Sequence, residues 1–223
     1  MPVASLPRRI AAEALGTALL LTTVIGSGIA AERLSGGNVG LALLANALAT
    51  GAALAALILT FGPVSGAQLN PVVTLADAFQ GGLPWREVPA YVAAQVVGAF
   101  VGTGAANAMW GEPVFAFSQH ARHGGGQLLG ELIATFGLIA VIFGCVRRRA
   151  EAVPYAVGAY ITAAYWFTSS TCFANPAVTL ARAASDTFAG IRPADVPAFV
   201  GVQLVAAAAA AVFTRWLWPR EAA

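Results

Sequence analysis

Charged residues are scarce in this sequence of 223 amino acids: they make up 10% of the chain, and lysine is absent. A soluble domain of this size carries about 25% charged residues. So little charge cannot cover a surface that faces water, whereas 58% of the residues are hydrophobic and the mean hydropathy is +0.74. Several apolar runs reach the roughly 20 residues that a membrane-spanning helix needs. The composition therefore predicts a membrane protein whose exterior faces mainly lipid.

Residues that carry chemistry are also few. The two cysteines, Cys145 and Cys172, lie in apolar contexts and support neither a disulfide framework nor a metal cluster. His120 and His123 form a lone His-x-x-His pair in one loop, a pattern more typical of solvated residues than of a metal site. The arginines lie beside the apolar runs and form no basic stripe, so we expect no nucleic-acid partner. We expect neither catalysis nor a cofactor, since no nucleophile–base set or phosphate loop stands in the sequence.

Six apolar segments are predicted to span the membrane: Ile10–Ala31, Asn38–Phe61, Val88–Trp110, Gln127–Cys145, Val153–Thr171 and Ala194–Trp218. Arginines near the segment ends predict the orientation, because cytoplasmic loops carry an excess of basic residues. Seven fall on the side of the N-terminus and three on the other, so both termini are expected in the cytoplasm, with the chain in the inner (plasma) membrane. The seven are Arg8, Arg9, Arg86, Arg147, Arg148, Arg149 and Arg220, and the three are Arg33, Arg122 and Arg192.

The chain repeats itself. The segment 70–76 matches the segment 175–181 at six of seven positions, and Glu13-Ala-Leu-Gly-Thr is echoed by Glu131-Leu-Ile-Ala-Thr. Three predicted spans separate the two copies, and an odd number inverts the second copy relative to the first. We therefore divide the chain into a first repeat (1–112), a connecting loop (113–126) and a second, inverted repeat (127–223).

Two Asn-Pro pairs stand at the centre of the repeats. Asparagine is a good helix N-cap and proline suits the first helical turn, so each pair is expected to begin a helix. The apolar runs that follow, Val72–Phe79 and Ala177–Ala184, are too short to cross a bilayer. They are predicted to be half-helices that enter from opposite faces, with their N-termini near the midplane. Each N-terminus carries roughly half a positive charge, which opposes cations, while the Asn70 and Asn175 amides can donate hydrogen bonds to a neutral solute.

The repeated motifs resemble those of the aquaporins and aquaglyceroporins, the major intrinsic proteins. The resemblance covers nearly the whole chain and implies an all-α membrane protein with six spans and two re-entrant half-helices, assembled as a homotetramer with one pore per subunit. It places the two motifs at the pore centre and implies that Glu13 and Glu131 accept hydrogen bonds from the re-entrant loops, although a carboxylate inside a span also admits a proton relay. The residues that carry this resemblance are Asn70-Pro71-Val72, Asn175-Pro176-Ala177, Ser65-Gly66-Ala67-Gln68-Leu69 and the two glutamates.

Ungapped alignment backward from the motifs predicts a selectivity filter of Thr50, Ala163, Cys172 and Val178. In most relatives an arginine stands where this chain has Val178, and none of the four residues is bulky or charged, so the resemblance implies a wider and less polar filter. Arg182 lies seven residues after the second motif asparagine, on the same helix face. Because helical side chains lean toward the N-terminus, Arg182 can line the pore mouth. The alternative is that Arg182, like its counterpart Asp77 in the first repeat, caps its half-helix or pairs with a neighbouring loop.

Two functions remain open at this point. The favoured one is a passive channel for water and small neutral solutes, either glycerol-like polyols or undissociated metalloid acids such as arsenite. The segment 173–179 resembles a bacterial subgroup associated with arsenic-resistance genes. The alternative is an ion-coupled secondary transporter, which also uses inverted repeats and broken helices. It needs titratable residues along its path, and only Glu13 and Glu131 lie well inside the predicted spans.

Overall fold

The computed structural model describes residues 4–219, so Arg220 of the orientation argument lies outside the described residues. Within this range the chain is helical, with single 3-10 turns directly before three of the helices. The α-helices are α1 (Leu6–Leu34), α2 (Val39–Ser65), α3 (Pro71–Phe79), α4 (Val88–Met109), α5 (Gly125–Arg148), α6 (Val153–Phe167), α7 (Pro176–Arg182) and α8 (Val196–Leu217). This arrangement of six longer helices and two short ones agrees with the predicted fold class.

Five of the longer helices, α1, α2, α4, α5 and α8, are long and apolar enough to cross a membrane. The sixth, α6, has 15 residues and spans only about 22 Å at 1.5 Å per residue. The predicted span Val153–Thr171 is therefore too long at its end. The helix stops because Thr168 takes an extended conformation and its hydroxyl binds the Ala164 carbonyl and the Cys172 amide. Such local side-chain bonds compete with helix continuation.

The two halves of the chain pack in equivalent ways. In the first half α1 packs against α2 and α4, in the second half α5 packs against α6 and α8, and α2 and α6 join the halves. Gly98 and Gly102 of α4 lie against the α1 backbone at Ala14 and Ala18, where a Cβ atom has no room. Small residues at helical spacing allow this close approach. Inside a bilayer no hydrophobic effect drives helices together, so close packing of this kind stabilises their association.

Both short helices begin at the Asn-Pro pairs. The Asn70 side-chain oxygen accepts a hydrogen bond from the Val72 amide at 3.1 Å, and Pro71 takes the first helical position. At α7, the Asn175 oxygen accepts from the Ala177 and Val178 amides at 3.0 and 3.3 Å. With 9 and 7 residues, neither helix can cross a membrane alone. Each one packs against α4 and α8 and so belongs to the interior of the bundle.

Candidate channel site

The N-terminal ends of α3 and α7 meet through a reciprocal pair of hydrogen bonds. The Asn70 Nδ2 donates to the Ala174 carbonyl at 2.8 Å, and the Asn175 Nδ2 donates to the Leu69 carbonyl at 2.8 Å. Each amide nitrogen carries a second hydrogen, which has no partner among residues 4–219. Both asparagines line the same internal cavity. One donor from each repeat is therefore available to a molecule inside it.

The loop before α3 is held by one buried carboxylate. Glu13 Oε1 accepts from the Ser65 hydroxyl at 2.6 Å and from the Gln68 amide at 3.0 Å. Its Oε2 accepts from the Leu69 amide at 2.7 Å and from the Gln95 side chain at 2.8 Å. Glu13 is fully buried, so these four donors satisfy a carboxylate that water cannot reach.

Glu131 holds the loop before α7 in the same way. Its two oxygens accept from the Phe173 amide at 2.8 Å and the Ala174 amide at 2.9 Å, and Oε2 also accepts from the Gln203 side chain at 2.6 Å. Gln203 donates in addition to Thr179 on α7. The carboxylate therefore ties a long helix, the re-entrant loop and α8 into one network.

Strained backbone lies at matching positions of both loops. Ala67 and Leu69 have φ values of 44° and 50°, and their counterparts Cys172 and Ala174 have 54° and 46°. A left-handed conformation at a residue other than glycine costs about 1–3 kcal/mol and persists only where surrounding contacts impose it. The amides of Leu69 and Ala174 are fixed by bonds to the two glutamates. The amides of Ala67 and Cys172 are fixed by bonds to hydroxyl groups of the same loops. The strained conformations therefore belong to the hydrogen-bonded loop structure and occur in both repeats.

The internal cavity has a volume of about 90 Å³, which exceeds the roughly 10–15 Å³ that one water molecule needs on this measure. Its wall combines polar and apolar side chains. The polar part comes from the two loops and from Thr50, Gln68, Asn70, Tyr165, Cys172, Asn175 and Arg182. The apolar part includes Leu20, Val24, Leu54, Ile58, Leu138, Ile142, Val153, Val157 and Ile161. A solute here meets both hydrogen-bonding groups and hydrocarbon.

Three of the four predicted filter residues, Thr50, Cys172 and Val178, line this cavity. The prediction for Ala163 is wrong, because Ala163 is exposed on the outer surface of α6. Tyr165 faces the cavity instead, and its hydroxyl lies 3.2 Å from the Thr50 hydroxyl.

The error at Ala163 has a geometric origin. Val157, Ile161 and Tyr165 are spaced by four residues, so they share one helix face, and Ala163 falls off that face. Counting backward without gaps ignored the extended segment that follows α6. The four-residue spacing was the signal in the sequence that identifies Tyr165.

Arg182 also lines the cavity, with only 2% of its surface exposed. Its Nε donates to the Ala189 carbonyl, and its guanidinium carbon lies 3.5 Å from the centre of the Phe173 ring. The two terminal nitrogens have no hydrogen-bond partner in the described part of the chain. The expected wide, uncharged filter therefore needs correction, since Tyr165 adds bulk and Arg182 adds a cation to the cavity wall.

Sequence reasoning also missed the roles of Arg122 and Phe173. The sequence places Arg122 in the connecting loop. In the structure its side chain is buried, and its guanidinium carbon lies 4.9 Å from the centre of the Phe173 ring. No periodic pattern of residues in a sequence predicts a contact between a loop and a distant segment. Among residues 4–219, no group of three His, Cys, Asp or Glu side chains lies close enough to hold a metal ion.

Comparison with known proteins identifies the family. The model of the family described as Major intrinsic protein matches residues 3–171. Aquaglyceroporin AqpS of Rhizobium meliloti (strain 1021) is 52% identical over 212 residues, which cover 95% of this chain and 91% of that protein. A probable glycerol uptake facilitator protein of Thermotoga maritima is 34% identical over 149 residues, covering 60% of this chain and 62% of that protein.

A solved structure shares the fold. The X-ray structure of the aquaglyceroporin from Plasmodium falciparum superposes with a TM-score of 0.70 at 23% identity, over 96% of each chain. The architecture of inverted halves with two half-helices is therefore the aquaporin fold. The chain belongs to the major intrinsic protein family.

Proposed function

We propose that this protein is a passive transmembrane channel for water and small neutral solutes. The observation that carries the proposal is the junction of the half-helices beside a shared cavity, where Asn70 and Asn175 each keep one amide hydrogen without a partner in the range 4–219. A neutral solute oxygen can accept from both donors in turn. The apolar side chains of the same wall form no hydrogen bonds, so they do not compete for the solute.

Cation exclusion rests on two features of the same cavity. The N-terminal ends of α3 and α7 direct partial positive charge toward the junction. The guanidinium of Arg182 adds a full charge in the wall, where screening by water is weak. A cation or an excess proton entering from the Arg182 side therefore meets a repulsive potential before it reaches the asparagines.

The proposed solutes beyond water are glycerol-like polyols or undissociated metalloid acids such as arsenite. The names of two relatives, an aquaglyceroporin and a glycerol uptake facilitator, support the polyol. The mixed wall supports either class, because both combine hydroxyl groups with a compact, uncharged body. Val178 leaves more room than an arginine at the same place, which favours solutes larger than water.

We further propose a homotetramer with one pore per subunit, in the inner membrane, with both termini in the cytoplasm. Large apolar side chains remain exposed along the helices, among them Leu48, Val97, Val101 and Val205. Such a surface fits lipid or neighbouring subunits. The excess of arginine on the side of the N-terminus supports the orientation.

An ion-coupled transporter is disfavoured by the state of the two glutamates. Glu13 accepts from four donors and Glu131 from three, and both are fully buried. A proton carrier needs a free acceptor on the solute path. These carboxylates face the loops and are committed to holding them.

Stopped-flow light scattering on proteoliposomes tests the proposal, with water, glycerol and arsenite compared in one preparation. Flux is expected to rise linearly with the solute gradient and to ignore an imposed pH or sodium gradient. Empty liposomes and the Asn175→Asp variant serve as controls. Uphill accumulation of any solute driven by a pH or sodium gradient would establish the transporter instead.

A further inference from the structure

Two buried arginines converge on one aromatic ring beside the cavity. The guanidinium carbons of Arg182 and Arg122 lie 3.5 and 4.9 Å from the centre of the Phe173 ring. The Nε atoms of the two arginines donate to consecutive carbonyls, those of Ala189 and Gly190. Only 2% and 7% of the two arginine surfaces are exposed. We call Arg122 and Arg182 the arginine pair.

No carboxylate forms an ion pair with either arginine among the described residues. The ion pairs there engage other arginines, namely Arg9, Arg33 and Arg192. The nearby Asp195 accepts from the backbone amide of Arg122 and pairs with Arg192, so its charge is already shared. The charge of the buried Glu131 acts on both arginines without an ion pair, and Glu131 already accepts from three donors. Buried charges are normally paired directly, so the pair keeps room for an anion that binds it directly.

Neighbouring groups respond to the positive potential of the pair. Burial, and after it the charge of Arg182, lower the pKa of Arg122 to about 9, so it stays protonated at neutral pH. Displacement of water by the protein, and then the charges of Arg122 and Arg182, lower the pKa of His120 below its usual range, whereas Asp186 opposes this shift. In both groups burial is the larger cause of the pKa shift and the positive charge of the neighbouring arginines is the second.

The free donors of the pair point to a specific geometry of ligand. A guanidinium presents parallel N–H groups that fit two oxygens of a planar anion. In Arg182 both terminal nitrogens are without partners in the described chain, and the side chain lines the cavity. The Arg122 side chain donates three hydrogen bonds, to Gly190 and to the Ser170–Thr171 segment, so it contributes mainly charge.

We propose that the arginine pair forms a binding site for a small monovalent anion with planar oxygens, such as nitrate or a short carboxylate. The anion accepts from the terminal nitrogens of Arg182 and sits in the field of Arg122. Bound there, it occupies the cavity next to Val178 and obstructs neutral solutes.

Chloride NMR on the purified chain in a neutral detergent tests binding directly. Chloride exchanging on a protein site gives a broadened line, and nitrate should remove the excess width by competition. Arg182→Gln should weaken anion binding by about tenfold, because charge-assisted hydrogen bonds are lost. Arg122→Gln should weaken it by about threefold, since Arg122 acts through charge at a distance. Arg33→Gln is the matched control and should leave the line width unchanged, because Arg33 is paired with Glu112 away from the cavity.

A second experiment measures whether a bound anion inhibits solute flux. Only this blocking role rests on the proposed channel function; binding of the anion does not. Nitrate should slow solute entry into proteoliposomes relative to gluconate at equal ionic strength, and Arg182→Gln should relieve the inhibition.

If solute flux is present but nitrate removes no excess line width from the wild type, the anion site is overturned. Equal loss of binding in Arg33→Gln overturns it as well, since it indicates general surface attraction. Passage of nitrate through the pore would overturn the blocking role. Absence of all solute flux alongside nitrate-sensitive line broadening would refute the channel function and leave the site standing.

Discussion

The two half-helix regions use equivalent positions for contacts of different chemistry. In the first repeat, Gln68 donates to Asp77 at 2.9 Å. In the second repeat, Phe173 packs against Arg182. Each contact joins the residue two before the motif asparagine to the residue seven after it. The inverted halves have therefore kept the contact and exchanged its character, polar and acidic in one half, aromatic and basic in the other.

Other equivalent positions have kept their chemistry. Each repeat has a buried glutamate that accepts from two loop amides and a buried glutamine that donates to both the glutamate and a threonine of the half-helix. The pairs are Glu13 and Glu131, Gln95 and Gln203, and Thr74 and Thr179. The comparison separates two tasks. The retained positions hold the backbone of the loops, and the divergent ones place an acidic group on one half-helix and a basic group on the other.

Removing either glutamate is expected to have the largest effect. Glu13→Ala or Glu131→Ala leaves several buried donors without an acceptor, and each unsatisfied donor costs about 1–3 kcal/mol. Both variants should lose most of their folded yield and unfold at a much lower temperature in detergent, as measured by size exclusion and thermal unfolding. Glu112→Ala, which removes a partly exposed ion pair, is the control and should behave like wild type. A stable variant of one glutamate beside an unstable variant of the other would show that the two loops are not held equivalently.

Changing the motif asparagines should come next. Asn70→Asp and Asn175→Asp keep the capping oxygen but replace the donor by an acceptor and add negative charge at positive helix ends. We expect solute flux to fall or cations to leak, while membrane insertion is retained. Solute flux and cation leak in proteoliposomes measure this. Asn38→Asp is the matched control, because Asn38 caps α2 at an exposed position. Normal flux and normal cation exclusion in both motif variants would remove the asparagines from the pore centre.

Substitutions at the Arg182 end should have a smaller and more selective effect. Val178→Arg places a second guanidinium in the cavity wall and should cut glycerol and arsenite flux several-fold while sparing more of the water flux. Arg182→Ala should raise solute flux or cation leak, because it removes bulk and charge from the same wall. Stopped-flow rates for each solute measure both changes, with Arg33→Ala as control. If the wild type passes only water and Arg182→Ala admits glycerol, Arg182 has replaced the arginine that most relatives carry at position 178.

A mercurial should give the smallest and most local effect. Cys172 lines the cavity and is 3% exposed, whereas Cys145 lies near the end of α5. Slow access to the buried thiol predicts partial inhibition of flux that a reducing agent reverses. Cys172→Ser should abolish the inhibition and Cys145→Ser should retain it. The opposite pattern would place Cys172 away from the solute path.

The parts of this molecule that depend on local pattern were predictable from the sequence. Hydropathy located the long helices, and the Asn-Pro pairs located the starts of α3 and α7, because capping and proline geometry act within a few residues. The backward count from the second motif placed Ala163 at the cavity, because it crosses the non-helical residues 168–174, whereas the four-residue spacing of Val157, Ile161 and Tyr165 indicates the correct face of α6. The convergence of Arg122 and Arg182 on Phe173 was missed as well, because it joins three segments through tertiary contacts.

The reciprocal bonds between the two asparagines and the opposite loops have a consequence for biosynthesis. Asn70 leaves the ribosome about a hundred residues before Ala174, whose carbonyl it binds. Leu69 likewise emerges about a hundred residues before Asn175, which donates to the Leu69 carbonyl. During that interval the first re-entrant segment has its glutamate but lacks its counterpart. Unpaired backbone groups are costly in hydrocarbon, so this segment is expected to stay near water or the translocation machinery until the second segment arrives. Closure of the centre is then a late, joint event, and a chain released before residue 175 is a substrate for quality-control proteases.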